Sequence, residues 1–335
     1  MNPPVSEVFV LSDDEFKYLE IQFKTWQMNV VDVFAGCGGF SRGFREEGFE
    51  LVVAVENFKP VAQTYEENFP EAEVIVRDVK EVRGEDISRI CGDVDVLIGS
   101  PPCEPFTSAN LRRAKRPEDR LYRDRRGQLV LHFVRLVKEL KPKVFVMENV
   151  PQILELKNSL IREFRKIGVC KVFFNVLKAQ NYGNPSKRTR VFISNVPINE
   201  EKAKRYVKVW DALKDLMELN TLPNHEEIKV SRSKLEKISK LRWGESLVKF
   251  GGRFENWLRL HPYRLAPTVM GHSRFVHPFE DRLLTVREQA RLMGFPDDHV
   301  FLGGKNVQFD MVGEAVPVPL ARKVARDVKL RLKNT

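Results

Sequence analysis

Val30-Val31-Asp32-Val33-Phe34-Ala35-Gly36-Cys37-Gly38-Gly39-Phe40 is an apolar run that gives way to three glycines within four positions. Val30–Phe34 reads as a buried strand, and Ser41 reads as the cap of a helix continuing to about Glu47. Strand, glycine-rich turn and helix in this order form a nucleotide-type cofactor site. Glycine lets the backbone approach a ligand, and a helix start offers free N–H groups. A tight structural turn would carry the same glycines, so the acids that follow matter. Leu51–Val55 reads as a second strand ending in Glu56, 20 residues after Gly36, which suits the two hydroxyls of a ribose. Val74–Val76 reads as a third strand, followed by Asp78, which can accept from an exocyclic amine of adenine. Two acids at the carboxyl ends of successive strands favour a nucleoside ligand over two solvated strand-end charges.

Further on, Val94–Ile98 reads as a fourth buried strand, running into Gly99-Ser100-Pro101-Pro102-Cys103-Glu104-Pro105. The prolines end the strand and fix the backbone beyond it, so Cys103 is held at a carboxyl strand end as a candidate nucleophile. Residues 108–126 read as a long polar loop holding Arg112, Arg113, Lys115, Arg116, Arg120, Arg123, Arg125 and Arg126. A basic loop just after the nucleophile is suited to closing over a phosphate backbone. Gln128–Leu140 has helical apolar spacing, and Val144–Met147 reads as a fifth strand ending in Glu148-Asn149-Val150-Pro151. Glu148 would lie beside Cys103 if those strands are neighbours. Ile161–Ile167 reads as a helix, and Lys171–Leu177 and Val191–Ser194 as two more strands. Just before the last of them, Arg188 and Arg190 alternate by two and share a face.

The pattern changes after about Pro197. Residues 198–260 read as polar and helical without buried strands, the obvious small second domain. A helix capped by Thr285 with Glu288 at its third position follows, and Gln308–Pro317 leads into a closing helix. At the other end, Ser12-Asp13-Asp14-Glu15 looks like a capping box for a helix to about Ile21. The expected division is a lead-in (1–28), a catalytic and cofactor-binding domain (29–197), a variable region (198–261) and a return to the first domain (262–335).

A 335-residue chain with 42% hydrophobic and 30% charged residues is large enough for a substantial core. Its net charge of +10 fits a polyanionic partner or an ordinary basic surface. The four cysteines, at 37, 91, 103 and 170, have neither metal-ligand nor redox-pair spacing and fit a reducing, cytoplasmic setting. No metal, signal peptide or membrane span is expected, and a monomer is the default.

Taken together, these motifs resemble the cytosine carbon-5 DNA methyltransferases over about residues 29–197 and 262–330. Phe34-Ala35-Gly36-Cys37-Gly38-Gly39-Phe40 resembles the family's S-adenosylmethionine loop, and Glu56 and Asp78 its ribose and adenine acids. Pro101-Pro102-Cys103 matches the catalytic loop, Arg126-Gly127-Gln128-Leu129 the segment after it, and Glu148-Asn149-Val150 the glutamate motif. Arg188-x-Arg190 matches the paired arginines. Arg282-x-Leu284-Thr285-x-x-Glu288 and Gly313-x-Ala315-Val316-Pro317 match the last two motifs.

The resemblance implies an α/β Rossmann-like class I methyltransferase, with a mostly parallel doubly wound sheet plus a small target-recognition domain. It implies S-adenosyl-L-methionine as cofactor, bound by the loop residues 34–40 with Glu56, Asn57, Asp78, Val79, Pro102, Leu129, Glu314, Ala315 and Val316. Cys103, Glu148, Arg188 and Arg190 would be catalytic, and Arg112, Arg113, Arg116, Arg123, Arg125 and Arg126 would contact duplex DNA. The implied chemistry is addition of the Cys103 thiolate to carbon 6 of a flipped cytosine. Carbon 5 then takes a methyl group, and loss of its proton expels Cys103. Glu148 would hold a proton at N3 if its carboxyl is able to donate, Arg190 the base carbonyl, and Arg188 would order the site. Three residues depart from the family pattern: Ser186 and Glu104 stand where glutamine is usual, and Glu314 where asparagine is usual. A transfer-RNA methyltransferase on the same scaffold is the main alternative. A non-catalytic nucleic-acid binding module and a nicotinamide dehydrogenase are weaker, because both leave the Pro-Cys loop and Glu148 unexplained.

Overall fold

The structure is a computed structural model describing residues 28–108, 110–216, 219, 221–250 and 254–334. The helix expected near Ile21 lies outside the described residues. The main sheet has seven strands: β1 (Asn29–Val33), β2 (Glu50–Val55), β3 (Glu73–Ile75), β4 (Val96–Gly99), β5 (Val144–Asn149), β6 (Phe173–Lys178) and β7 (Thr189–Ser194). Their order is β3-β2-β1-β4-β5-β7-β6. β1 to β5 run parallel to one another, and β7 is antiparallel to both β5 and β6. This is the expected α/β class: β4 and β5 are buried along their whole length because helices cover both faces.

On one face the Leu129–Leu140 helix buries Phe133, Leu136 and Val137. On the other, the Gly39–Glu46 helix packs against the Val318–Lys333 helix through Phe44, Ala321 and Val324. Gly43 makes this approach possible, since a Cβ there would lie 2.4 Å from that of Ala321. The order of the sheet reverses between β1 and β4, which puts a crevice at their carboxyl ends.

Three expectations are corrected. Ser41 does not cap the first helix, which starts after Gly38 at φ +86°. Ser41 is instead buried, its hydroxyl 2.6 Å from the Asp32 carboxylate and 2.7 Å from the Tyr65 hydroxyl. Residues 198–260 are not free of strands. β8 (Ser246–Phe250) and β9 (Phe254–Arg259) pair antiparallel, and β10 (Phe275–Val276) joins β9 in a second sheet. Leu258 of β9 is buried with Val209, Leu213 and Leu216 against Leu284, Phe309 and Val312, so tertiary packing stabilises a short strand that mixes apolar and charged residues. The loop 108–126 is not structureless either: a helix at Pro117–Tyr122 interrupts it. Arg120 is buried there, donating to the Ala114 and Lys115 carbonyls and to the Glu155 carboxylate.

Candidate active site

Because β1 to β5 are parallel, the segments following β1 to β4 and the end of β5 open onto one edge. They line a cavity of about 1060 Å³. Phe34, Ala35, Gly36, Cys37 and Gly39 form one wall, with Glu56, Asn57, Asp78 and Val79 beside them. Pro102, Cys103, Leu129, Glu148, Arg188 and Arg190 form the opposite wall, and Glu314, Ala315 and Val316 complete the lining. Two predicted loop residues do not reach it. Gly38 sits so close to Phe69 that a Cβ would lie 2.2 Å from the ring, and Phe40 is buried against Phe44 and Phe192.

The glycine loop is shaped by strain and by one acid. Phe34 adopts φ +63°, and Gly36 follows at φ +57°. A left-handed conformation costs a non-glycine residue about 1–2 kcal/mol, which the packing of β1 must offset. A Cβ on Gly36 would meet nothing within 4 Å, so the backbone there faces open cavity. Glu56 accepts from the Gly36 N–H at 3.0 Å and from the Phe58 N–H at 2.9 Å. Each of its oxygens keeps a lone pair for a ligand. Asp78 accepts from the Lys80 N–H at 3.0 Å. Behind the loop, the Cys37 carbonyl lies 3.0 Å from His299 Nε2. Burial drives the His299 pKa down to about 3, so the ring is neutral. A carbonyl only accepts, so its proton is on Nε2. Sequence reasoning missed this support, because His299 is 262 residues away.

On the opposite wall, the Cys103 carbonyl accepts from the Phe106 and Thr107 N–H groups at 2.9 Å, fixing the turn. Asn149 Nδ2 donates to the Pro101 carbonyl at 3.1 Å, tying the end of β5 to the cysteine loop. Arg190 Nε lies 2.8 Å from a Glu148 oxygen, and both side chains are largely buried. Arg188 donates to the Val269 carbonyl at 2.7 Å and to the Glu314 carbonyl at 3.4 Å. Burial lowers its pKa to about 9, and the neighbouring Arg190 adds to that. The Cys103 thiol is pushed up to about 11 by burial, partly offset by Arg190. Cys37, in the same cavity, is pushed to about 12 by burial and points its sulfur at the Met311 carbonyl. Of the two thiols, only Cys103 lies beside arginines.

The departures from the expected pattern have local roles. Ser186 is buried and donates to the Leu292 carbonyl at 2.8 Å, joining β7's lead-in to the C-terminal segment. Glu104 lies 3.8 Å from Arg126. Burial raises the Glu314 carboxyl to about 7, with Glu104 and Asp310 raising it further. Of the predicted DNA-contacting arginines, Arg112, Arg116, Arg123, Arg125 and Arg126 are exposed outside the cavity. Arg113 is half-buried and donates to the Phe106 carbonyl at 2.6 Å. Ser100, Gln152, Thr268, His272 and Asp310 also line the cavity and carried no recognisable signal in the sequence. Among the described residues no group of side chains is arranged to hold a metal ion, and no helix is long and apolar enough to cross a membrane.

Comparison with known proteins places this cavity in context. The family model for C-5 cytosine-specific DNA methylases matches residues 28–330. A Methanocaldococcus jannaschii protein named as a candidate type II methyltransferase is 51% identical over 314 residues, covering 91% of this chain and all of its own. The type II methyltransferase M.DdeI of Desulfomicrobium norvegicum is 30% identical, covering 92% of this chain and 90% of its own. A crystal structure titled as a candidate DNA modification methyltransferase from an E. coli prophage superposes with a TM-score of 0.75 at 26% identity. It covers 92% of this chain and 100% of its own.

Proposed function

From the premise that this chain belongs to the C-5 cytosine-specific DNA methylases and is a DNA (cytosine-5-)-methyltransferase, we propose how its own residues divide the reaction. The methyl donor would be S-adenosyl-L-methionine: the glycine loop would hold it, Glu56 would take the ribose hydroxyls and Asp78 the adenine amine. When bound, it supplies an electrophilic methyl group. The open backbone at Gly36 and the free lone pairs of Glu56 support this fit.

Carbon 5 of cytosine is a poor nucleophile until sulfur adds to carbon 6. Cys103 Sγ forms that bond as a thiolate, with Arg190 and Arg188 favouring the charged form. Negative charge then builds on the ring. Arg190 turns from Glu148 to the base carbonyl, and Glu148 holds a proton at N3. After methylation the carbon-5 proton leaves and the carbon–sulfur bond breaks, which frees Cys103. The observation that carries this reading is the Glu148–Arg190 pair at 2.8 Å, which joins Glu148 on β5, the strand paired to the one that delivers Cys103, to Arg190 on β7 beyond it.

A base in a duplex cannot reach such a cavity, so the target cytosine flips out, which costs a few kcal/mol. The exposed arginines of 112–126 grip the phosphates, residues 198–261 read the sequence, and the protein acts in the cytoplasm as the modification half of a type II system. Transfer of labelled methyl to duplex DNA and to bulk transfer RNA, followed by digestion to nucleosides, tests this. Label in 5-methyldeoxycytidine, lost in Cys103→Ser with DNA binding retained, is the expected outcome. Label only in 5-methylcytidine, or full activity in Cys103→Ser, contradicts it.

A further inference from the structure

The cavity holds two kinds of charge. Arg188 and Arg190 stand beside Cys103 with Glu148 and Glu104, and Glu56, Asp310 and Glu314 are further acids of the lining. The carboxylate of Glu314 has no hydrogen-bond or ion-pair partner among the described residues, although its backbone carbonyl is held by Arg188. Its electrostatic neighbours are Glu104 from the loop after β4, Asp310 from the Lys305–Glu314 helix, Arg188 from the lead-in to β7, Glu56 from the end of β2 and the Cys37 thiol of the glycine loop. Glu314 therefore feels the nucleophile's loop on one side and the ribose acid on the other.

A donor held at Glu56 would bring its sulfur towards Cys103 within the cavity that Glu314 also lines. The sulfur is bonded to the ribose that Glu56 would hold, and its methyl must reach the carbon adjacent to the one bonded to Cys103. The methyl donor carries a positive sulfonium there, and the demethylated product, S-adenosylhomocysteine, carries a neutral thioether. The two otherwise have the same groups.

Resting on the donor assignment above, we infer that Glu314 is a specificity residue that favours the charged methyl donor over its neutral product, limiting product inhibition. A carboxylate with no ion-pair contact of its own, offset only by the nearby charge of Arg188 and repelled by several acids, gains an attraction with the sulfonium and gains nothing with the thioether. The raised pKa of Glu314, about 7, makes this selectivity depend on pH. Below pH 7 the carboxyl is neutral and indifferent to charge; above it the carboxylate is present. By reciprocity, binding the sulfonium lowers the pKa and expels a proton, and binding the thioether does not.

Calorimetry of the full chain with S-adenosylmethionine and with S-adenosylhomocysteine, in two buffers of different ionisation enthalpy, tests this without turnover. If the donor lowers the Glu314 pKa by one unit, it releases about half a proton at pH 6.5, and the donor-to-product affinity ratio rises about fivefold between pH 6 and pH 8. The product should release no proton. In Glu314→Gln the proton release should vanish and the ratio should become flat in pH, with product affinity within about twofold of the parent. In Glu104→Gln the pH midpoint should move lower, because one repelling charge is gone. A ratio that is flat in pH in the parent, or equal losses for both ligands in Glu314→Gln, overturns the inference. Failure of the parent to bind either ligand refutes the donor assignment itself, and the inference with it.

Discussion

The two walls of the cavity are built in opposite ways. The wall formed by the glycine loop, Glu56 and Asp78 comes from consecutive strand-to-helix turns and is acidic. Its key contact, Glu56 to the Gly36 N–H, spans 20 residues. The wall around Cys103 is assembled from β4, β5 and the lead-in to β7, and it is where the cavity's arginines, Arg188 and Arg190, stand, together with Glu148 and Glu104. Each wall opposes the charge it is proposed to meet: acids face a sulfonium, and guanidinium groups face a thiolate and an anionic ring. One fold thus keeps two electrostatic environments apart within one cavity, and variants on each side should fail differently.

The largest effect should come from the arginine side. Glu148→Gln keeps an acceptor for Arg190 but removes the titratable carboxyl, so kcat should fall about a hundredfold or more with donor affinity within twofold. Single-turnover methyl transfer beside donor calorimetry checks this split. On the acidic side, Glu56→Gln should weaken donor binding about tenfold and leave kcat at saturating donor within about threefold. If both variants lowered affinity and kcat alike, the two walls would not be functionally separate.

A subtler contrast separates the two cavity thiols. With the Cys103 pKa raised to about 11, its alkylation by iodoacetamide in the free protein should rise about tenfold per pH unit from 7 to 9. Cys37, buried and bonded to the Met311 carbonyl, should stay unmodified over that range. Mass spectrometry of the two peptides decides it, and an inflection below pH 8 at Cys103 would show a pre-formed thiolate.

The smallest effect should lie beneath the acidic wall. Burial raises the Asp32 pKa to about 7 although Ser41 donates to it. Between pH 4 and 7 the native state therefore holds a proton that the unfolded chain has lost, so this group's contribution makes stability fall as pH rises through that window. Asp32→Asn should flatten that slope in urea titrations, and an unchanged slope would place the proton elsewhere.

How much was legible followed the same division. The parallel strands were readable because each is an apolar run ending in a short turn, and Cys103 and Glu148 stood at strand ends that the β4–β5 pairing made adjacent. Long-range supports were not readable: His299 meets the Cys37 carbonyl across 262 residues, and Asn149, though part of the glutamate motif, meets the Pro101 carbonyl across 48. Ser41 misled because a residue suited to capping was recruited by a buried carboxyl from β1. The strands β8 and β9 were missed because each is short and mixes apolar with charged residues, and they are held from outside the segment: Leu258 shares a core with residues 284–312, and Leu247 packs with Ile238, Val276 and Leu283. Arg120 was counted with the free cations of its loop, yet Glu155, distant in sequence, captures it.

The central claim is that Cys103 bonds to carbon 6 of the base while the opposite wall delivers a methyl group to carbon 5. Duplex DNA carrying 5-fluorodeoxycytidine tests it most directly, because fluorine in place of the carbon-5 proton blocks the elimination that would free the enzyme. With S-adenosylmethionine present, the account predicts a protein–DNA adduct that survives denaturation, carries one transferred methyl group and maps to Cys103. An adduct at another residue, or methylation of ordinary DNA with no adduct on the fluorinated strand, would contradict it.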